Sequence, residues 1–589
     1  MNSNNNLQNS QFDISRLFEQ AIQHHQVGQL EQAKRKYQEI LDTNPQHADS
    51  SHLLGLVEYQ YGNYVKAIEH IQQAVLISPE QPVFLNNLGN VLKEIGELDR
   101  SVQAYQQALE IAPDDAEIHN NLGVTLKEMG ELDRSVQAYQ QALEVAPEDA
   151  EIHNNLGVTL KEMGELDRSV QAYQQALEIN PQYAEAHNNL GNVLKEMDRL
   201  DESVHAYQQA LKINPQFVEG YYNIGVFFQE QRKVKESAQA YQKAIQIQPD
   251  YVEAHINLGV VLREQVRLKE SIQVHQKAIQ IQPDYEEAHI NLAITFLLQG
   301  QLTAGWKEFE WRRSRKRDFK RPLWDGTPLN GKSILIYAEQ GFGDTIQFVR
   351  YIDLLPDANT IIIVVCQPEL KTLFKSINRI DTLVTKGEDI PDSDVHVPLL
   401  SLPYMFNTTL DTIPARIPYL YLNPEADSVF HLGDSHDLKI GIVWAGRPTH
   451  ANDNNRSIDL KWFKCLLDIR NCEFFSLQVG ERREDIKQHG YHHTIKDLGK
   501  QFTDFHHTAS AILQLDLVIS VDTAVTHLAG ALGKPVWTLL PFVPDWRWML
   551  DRSDSPWYPS MTLFRQKETG DWSPVFEQLR LALTRYSQS

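Results

Sequence analysis

Prolines stand at 45, 79, 113, 147, 181, 215, 249 and 283, each 34 residues after the last. Self-similarity at such a period means one supersecondary unit copied along the chain, each copy burying its apolar face only against its neighbours. The blocks "AEIHNNLGVTLKEMGELDRSVQAYQQALEVAPED" (116–149) and "AEIHNNLGVTLKEMGELDRSVQAYQQALEINPQY" (150–183) are near copies of each other. Each predicts two helices: one burying Leu122, Gly123 and Leu126, a turn at Gly130, and one burying Ser135, Tyr139 and Ala142. Small residues stand where the helices approach closely, and the aromatic fills the gap. Pro147 ends the second helix because it cannot continue the hydrogen-bond ladder.

This pattern resembles the tetratricopeptide family over residues 14–319, about nine repeats, after a short segment 1–13 expected to be disordered. The first and last repeats read as caps: Ala21 replaces the usual Gly, and the last block ends in "GWKEFEWRR". Stacked pairs of this kind form an α-solenoid, a superhelix with a concave surface suited to a protein or peptide partner. Asn87, Asn121, Asn155, Asn189, Asn223, Asn257 and Asn291 recur at one position of successive first helices. They form a ladder of amides able to donate to and accept from an extended peptide. The ladder resembles the one in the repeats of O-linked N-acetylglucosamine transferases. Block copying alone would also repeat the Asn, yet the seventh and eighth blocks keep Asn223 and Asn257 while Arg232 and Val266 replace the turn Gly. His119, His153, His187, His255 and His289 recur too; one per repeat is no metal spacing, and they read as helix-surface residues.

Beyond about Lys332 the period changes. "SILIYAE" (333–339), "TIIIVVC" (360–366), "KIGIVWAG" (439–446), "EFFSLQVG" (473–480), "DLVISVD" (516–522) and "PVWTLLP" (535–541) are strand-like runs separated mostly by helical stretches. Such alternation predicts α/β architecture with parallel sheets. With 320–330 and the loop-like 422–437 as linkers, two Rossmann-like halves are expected at 331–425 and 437–589. Ligands of such folds bind at the carboxyl ends of the strands.

Three motif matches are weighed by context. "GTPLNGKS" (326–333) fits a phosphate loop but precedes a strand instead of coming after one. "DSD" (392–394) matches a metal-binding Asp-x-Asp, a pattern common by chance, in what reads as a loop entering a strand. "GFGD" (341–344) does come after a strand and open a helix, although Ile346 replaces the third glycine of a dinucleotide fingerprint.

"YAEQGFGDTIQFVRYI" (337–352) and "SVDTAVTHLAGALGKPVW" (520–537) together resemble the ADP-heptose transferases, family 9 glycosyltransferases of the GT-B fold, over about residues 331–580. The resemblance implies a nucleotide-diphosphate sugar as donor substrate, with no separate cofactor and no metal. Asp344 aligns with the family's general base and Gly343 falls on the acceptor side. A helix N-terminus supplies positive potential for the diphosphate: Asp522 is expected as N-cap, with the N–H groups of Thr523, Ala524 and Val525 facing the ligand. Thr523 and His527 are i, i+4 and share a helix face. Arg447 and Arg456 in "AGRPTHANDNNRSI" are candidates for forked phosphate contacts. Gln478 and the Phe542–Trp548 loop would lie near base or sugar, with core packing the alternative for the aromatics. The helix dipole at Asp344 is expected to lower its pKa and weaken it as a base.

Composition narrows the partners. A net charge of -23 argues against a nucleic-acid backbone as a general partner; "WRRSRKRDFKR" (311–321) is the local exception and reads as a solvated helix end and linker. Three scattered cysteines, Cys366, Cys465 and Cys472, suit a reducing, cytoplasmic compartment. "MNSNNNLQNSQF" has no signal-peptide features, and the longest apolar runs are strand-sized, so no membrane span is expected. The sequence therefore reads as a repeat superhelix joined to a glycosyltransferase acting on an acceptor that the repeats could hold. The competing reading is a non-catalytic interaction scaffold with a degenerate nucleotide-sugar-binding domain, which the short first half, 331–425, would favour.

Overall fold

The computed structural model describes residues 2–314, 321–356, 359–385, 387–422, 430–450 and 452–588. Among these residues, eighteen helices, from Asn2–Gln26 to Leu302–Phe309, form nine consecutive pairs. The first helix runs through the segment 2–13 that was expected to lack order. By compactness the chain divides into Met1–Gln248 and Pro249–Ser589, so the last two helical pairs group with the strand-bearing portion of the chain.

The pair Ala116–Glu128 and Leu132–Val145 shows why each block folds as it does. A Cβ on Gly123 would lie 2.7 Å from Tyr139 Cε1, so only glycine admits the ring. Ser135 Oγ donates to the Gly123 carbonyl at 2.7 Å, which satisfies a hydroxyl buried by the close helix approach. Asp115 caps the first helix, accepting from the N–H groups of Glu117 and Ile118 at 3.0 and 3.2 Å. The second helix stops at Val145, two residues before Pro147. Between the helices Gly130 has φ +76°, and Asp198, Arg232 and Val266 hold the same left-handed turn at +59°, +56° and +60°.

Among the described residues the rest of the chain carries ten strands in two wholly parallel sheets. The first contains β1 (Ser333–Tyr337), β2 (Ile361–Cys366), β3 (Thr382–Thr385) and β4 (Val395–Pro398) in the order β3-β2-β1-β4. The second contains β5 (Leu438–Val443), β6 (Cys472–Ser476), β7 (Ile495–Asp497), β8 (Leu517–Val521), β9 (Val536–Leu540) and β10 (Met561–Arg565) in the order β10-β9-β8-β5-β6-β7. Each sheet begins at an interior strand and reverses direction beside it, between β1 and β4 and between β5 and β8. A reversal of this kind is where helices on opposite faces diverge and a ligand can approach the strand ends.

The last helix of the array does not end in a solvated cap. Trp306 is 2% exposed; it packs edge-on against Trp546, Trp557 and Phe348, and its Nε1 donates to the Thr408 carbonyl at 3.2 Å. Arg312 is likewise buried, paired with Glu310 and Glu339 at 2.8 and 2.9 Å. The basic run therefore begins as an internal ion-pair network, while its residues 315–320 lie outside the described residues. The phosphate-loop match is a turn with Gly331 at φ +80° leading into β1. Asp394 of "DSD" accepts from both the N–H and the hydroxyl of Ser333 at 2.7 Å, tying the starts of β1 and β4.

Candidate functional site

Two helices open at the reversal points and pack on each other. The first, Phe342–Phe348, comes after β1 with Gly341 as N-cap, and Asp344 Oδ2 accepts from the Gly341 N–H at 2.9 Å. The second, Ala524–Ala531, comes after β8. Its N-cap is Thr523, not Asp522 as expected, because Thr523 is the residue with extended backbone at the helix start. The Thr523 hydroxyl shares a hydrogen bond with Ser520 Oγ at 3.2 Å and makes no cap bond. Asp522, Thr523, Ala524 and Val525 are half-buried, and the helix runs back into the core from Thr526 onward.

His527 is 5% exposed and meets Tyr558 OH through Nδ1 at 3.0 Å; its ring stacks on Trp548 with centroids 5.4 Å apart. Thr523 and His527 thus have separate partners. Burial, with Arg547 and Arg350 nearby, holds the imidazole pKa well below its usual value, so the ring is neutral. Its Nε2 lies 3.9 Å from Asp522 Oδ1. Burial and the neighbouring Asp545 push the Asp522 carboxyl up to about 6, against the pull of Trp548, Arg547 and Arg456.

Arg547, which lies in the Phe542–Trp548 loop expected near base or sugar but was not singled out there, gathers these groups. It sits in the short turn Trp546–Trp548, whose start Asp545 caps by accepting from the Arg547 N–H at 3.1 Å. Its Nη2 donates to Asp344 Oδ1, its Nε to Gln347 Oε1, and its Nη1 to Asp545 Oδ1 at 2.8 Å. The guanidinium lies 4.2 Å from the Trp546 ring centroid. Burial works against its charge, but Asp545, Asp344 and Asp522 outweigh it and raise its pKa. Asp344 departs from the sequence expectation: burial raises its pKa, more than Arg547 and the Gly341 N–H lower it. The dipole argument fails because a carboxylate removed from water loses more hydration than one helix turn restores.

Arg350 is a residue that sequence reasoning missed. It is 4% exposed, and it donates from Nε to the Gln347 carbonyl, from Nη1 to the Trp557 and Pro414 carbonyls, and from Nη2 to Tyr419 OH. It joins the helix after β1 to the Trp557 segment before β10. Of the other expected residues, Arg456 reaches the site, donating to the Asp522 carbonyl at 3.3 Å and pairing with Asp453 at 3.3 Å. Arg447 stands exposed in its loop. Gln478 is 3% exposed, and its side chain bonds the backbone of Trp444, Ala445 and Val479, fixing the ends of β5 and β6. In the Phe542–Trp548 loop, Trp546 and Trp548 are core residues, Trp548 lying against His527, and Arg547 is the one of these three that bonds Asp344.

In the repeats the Asn ladder is bonded along the array. Asn121, Asn155, Asn189 and Asn223 each donate to an asparagine 35 residues earlier (Asn86, Asn120, Asn154 and Asn188) at 3.0–3.1 Å. Asn87 does the same to His52, which takes the asparagine's place, at 2.9 Å. Asn291 donates to the Glu287 carbonyl and receives Arg263, and Asn257 is half-buried like the rest. One N–H of each of the five bonded amides from Asn87 to Asn223 therefore serves repeat packing. The recurring histidines tie turns: His119, His153, His187, His255 and His289 each meet a proline carbonyl six residues earlier through Nε2, at 2.8–3.2 Å.

These features define a helical-repeat protein whose α/β portion brings two helix starts and a cluster of buried charges together. The repeats are tetratricopeptide repeats: residues 18–82 match the tetratricopeptide repeat model, and residues 83–295 match the model described as Cilia and flagella-associated protein 70 C-terminal domain. Residues 480–571 match glycosyltransferase family 9 (heptosyltransferase), a stretch that holds β8, the second helix, Arg547 and Tyr558. Protein FlbA of Caulobacter vibrioides is 24% identical over 333 residues, which is 50% of this chain and 54% of FlbA, so the chain spans about half the length of that curated relative. Among solved structures, a tetratricopeptide repeat protein from Parabacteroides merdae is 15% identical, covering 42% of this chain and 98% of its own, with TM-score 0.37. YrrB, titled a TPR protein with an unusual peptide-binding site, is 24% identical, covering 31% and 95%, with TM-score 0.26. The family 9 match supports a glycosyltransferase-like role for the C-terminal portion. No described helix is long and apolar enough to cross a membrane.

Proposed function

We propose that the C-terminal portion is a GT-B glycosyltransferase that moves a sugar from a nucleotide-diphosphate donor to an acceptor hydroxyl. The observation that carries this reading is the pairing of Asp344, at the helix start after β1, with Arg547, from the segment that comes after β9 and faces the helix start after β8. A diphosphate at the N-terminus of Ala524–Ala531 meets the free N–H groups and positive dipole end of that helix, with Arg456 and Arg547 as nearby cations. The bond from the anomeric carbon to the diphosphate oxygen breaks, the acceptor oxygen takes its place, and the acceptor's proton passes to Asp344. A carboxylate whose pKa is raised by burial is a better base than a solvated one, and that supports Asp344 in the role. Neutral His527 adds no charge of its own and supports the helix through Tyr558.

The acceptor is a protein or peptide held by the tetratricopeptide array, where Asn87, Asn121, Asn155, Asn189 and Asn223 keep a carbonyl and a second N–H after their packing bonds are made. The test is transfer of a labelled sugar by the full chain. Asp344→Asn should abolish transfer while retaining donor binding; full transfer by that variant removes Asp344 as base. One observation favours the non-catalytic reading: Asp344 is engaged by Arg547, and a scaffold would keep it so. Donor binding without transfer to any acceptor, in the native chain, would select that reading.

A further inference from the structure

The buried cation at the junction is held as a receptor without its ligand would be. Arg547 bonds two carboxylates, Asp344 after β1 and Asp545 after β9, while a third, Asp522, faces it from the end of β8. A guanidinium fork that holds a carboxylate also fits a phosphate. The Asp344 carboxylate sits at the start of one helix and is bonded to a cation facing the start of the other, where an anion is most favoured. Beside it Gln347, 0% exposed, accepts from Arg547 through Oε1, while its Nε2 is buried without a hydrogen-bond partner. That N–H group points to a missing acceptor, since buried donors are rarely left unpaired.

We propose that Arg547, with Gln347 Nε2, is the receptor for the donor's diphosphate, and that Asp344 fills the place of a phosphate oxygen until the donor displaces it. This rests on the reading of the junction as a nucleotide-sugar site. Donor binding then exchanges one anion for another on Arg547 and leaves Asp344 with the Gly341 N–H alone. The carboxylate becomes available as a base only once the donor is seated, so donor precedes acceptor. Asp545, which caps the Arg547 turn, keeps its bond and holds the guanidinium in position.

The experiment uses the full chain and inorganic pyrophosphate, titrated by calorimetry at constant pH and salt. Because Asp344 competes with the ligand, Asp344→Asn should bind pyrophosphate more tightly than the native protein, by about tenfold for a contact charge removed from a buried pair. Arg547→Gln should weaken binding by roughly tenfold or more, and Asp344→Asn should no longer tighten it in that background. Arg547→Lys, which keeps the charge and loses the fork, should fall between. Equal or weaker binding by Asp344→Asn, or no binding by either it or the native protein, overturns the proposal. Should Arg547→Gln fail to fold, the Asp344→Asn arm decides alone. Pyrophosphate affinities that match this pattern while no nucleotide sugar is transferred would uphold the receptor and discard the transferase; transfer with affinities indifferent to Asp344 would do the reverse.

Discussion

Gly343 and His527 touch across the junction of the two sheets: a Cβ added to Gly343 would lie 2.9 Å from His527 Cδ2. The imidazole has little room to retreat, because Tyr558 holds Nδ1 and the Trp548 ring covers one face. Gly343→Ala should therefore destabilise the C-terminal portion by about 1–3 kcal/mol through overpacking. Thermal unfolding should show the loss, and His527→Ala in the same chain should recover part of it. An unchanged midpoint would mean that the two helices part easily.

Asp522 gives the fold a pH dependence of unusual sign. Its carboxyl is pushed up to about 6 in the folded chain, against an ordinary value of about 4. The folded state therefore holds the proton more tightly than the unfolded chain. Stability falls as pH rises through this interval, by on the order of 2–3 kcal/mol, and levels off above it. Asp522→Asn should flatten that slope in denaturant unfolding between pH 4 and 8 and leave the protein more stable than the native chain at pH 7. A variant less stable at pH 7 would show that Arg456 and Arg547 outweigh burial.

Trp306 belongs to the repeats by sequence and to the α/β core by packing. Trp306→Ala removes a side chain lodged among Trp546, Trp557 and Phe348, a truncation that costs about 3–5 kcal/mol. Hydrogen exchange should show the loss in the strands as well as in the last repeat. Loss confined to the repeat would contradict the shared core.

Val266 holds φ at +60° in a turn where other repeats use glycine. A β-branched residue is strained there, by roughly 1–2 kcal/mol. Val266→Gly should stabilise its repeat by about 1 kcal/mol after the added chain entropy of glycine is subtracted, and Gly130→Val should destabilise by a similar amount. Urea unfolding of the full chain measures both.

Much of the fold was legible because it rests on periodicity. The Gly123 to Tyr139 contact, the buried Ser135 and the stop before Pro147 are all consequences of spacing. Strands β1, β2, β5, β6, β8 and β9 announced themselves as apolar runs. Strand β4, "VHVP", was legible only as the strand that the "DSD" loop enters, and strands β3, β7 and β10 gave no signal: "TLVT" and "IKD" are too short, and "MTLFR" alternates as an edge strand does. The site was half legible. Asp344, Asp522 and His527 come together as their motifs suggested, but Arg350 and Arg547 are recognisable only in three dimensions. The available signal was a lone arginine within an apolar run, "QFVRYI" and "DWRWML", where a charge needs buried partners. Gln478 misled because a polar residue at a strand end can serve the neighbouring backbone as readily as a ligand.

The central claim is that the junction of the two sheets binds a nucleotide-diphosphate sugar. Its most direct test is a melting panel of nucleotide sugars against the full chain and against Arg547→Gln. At 100 times its dissociation constant the correct donor should stabilise the native chain by about 2.7 kcal/mol, and the same concentration should stabilise Arg547→Gln far less. No stabilisation by any nucleotide sugar, or an equal effect on both proteins, would contradict the account.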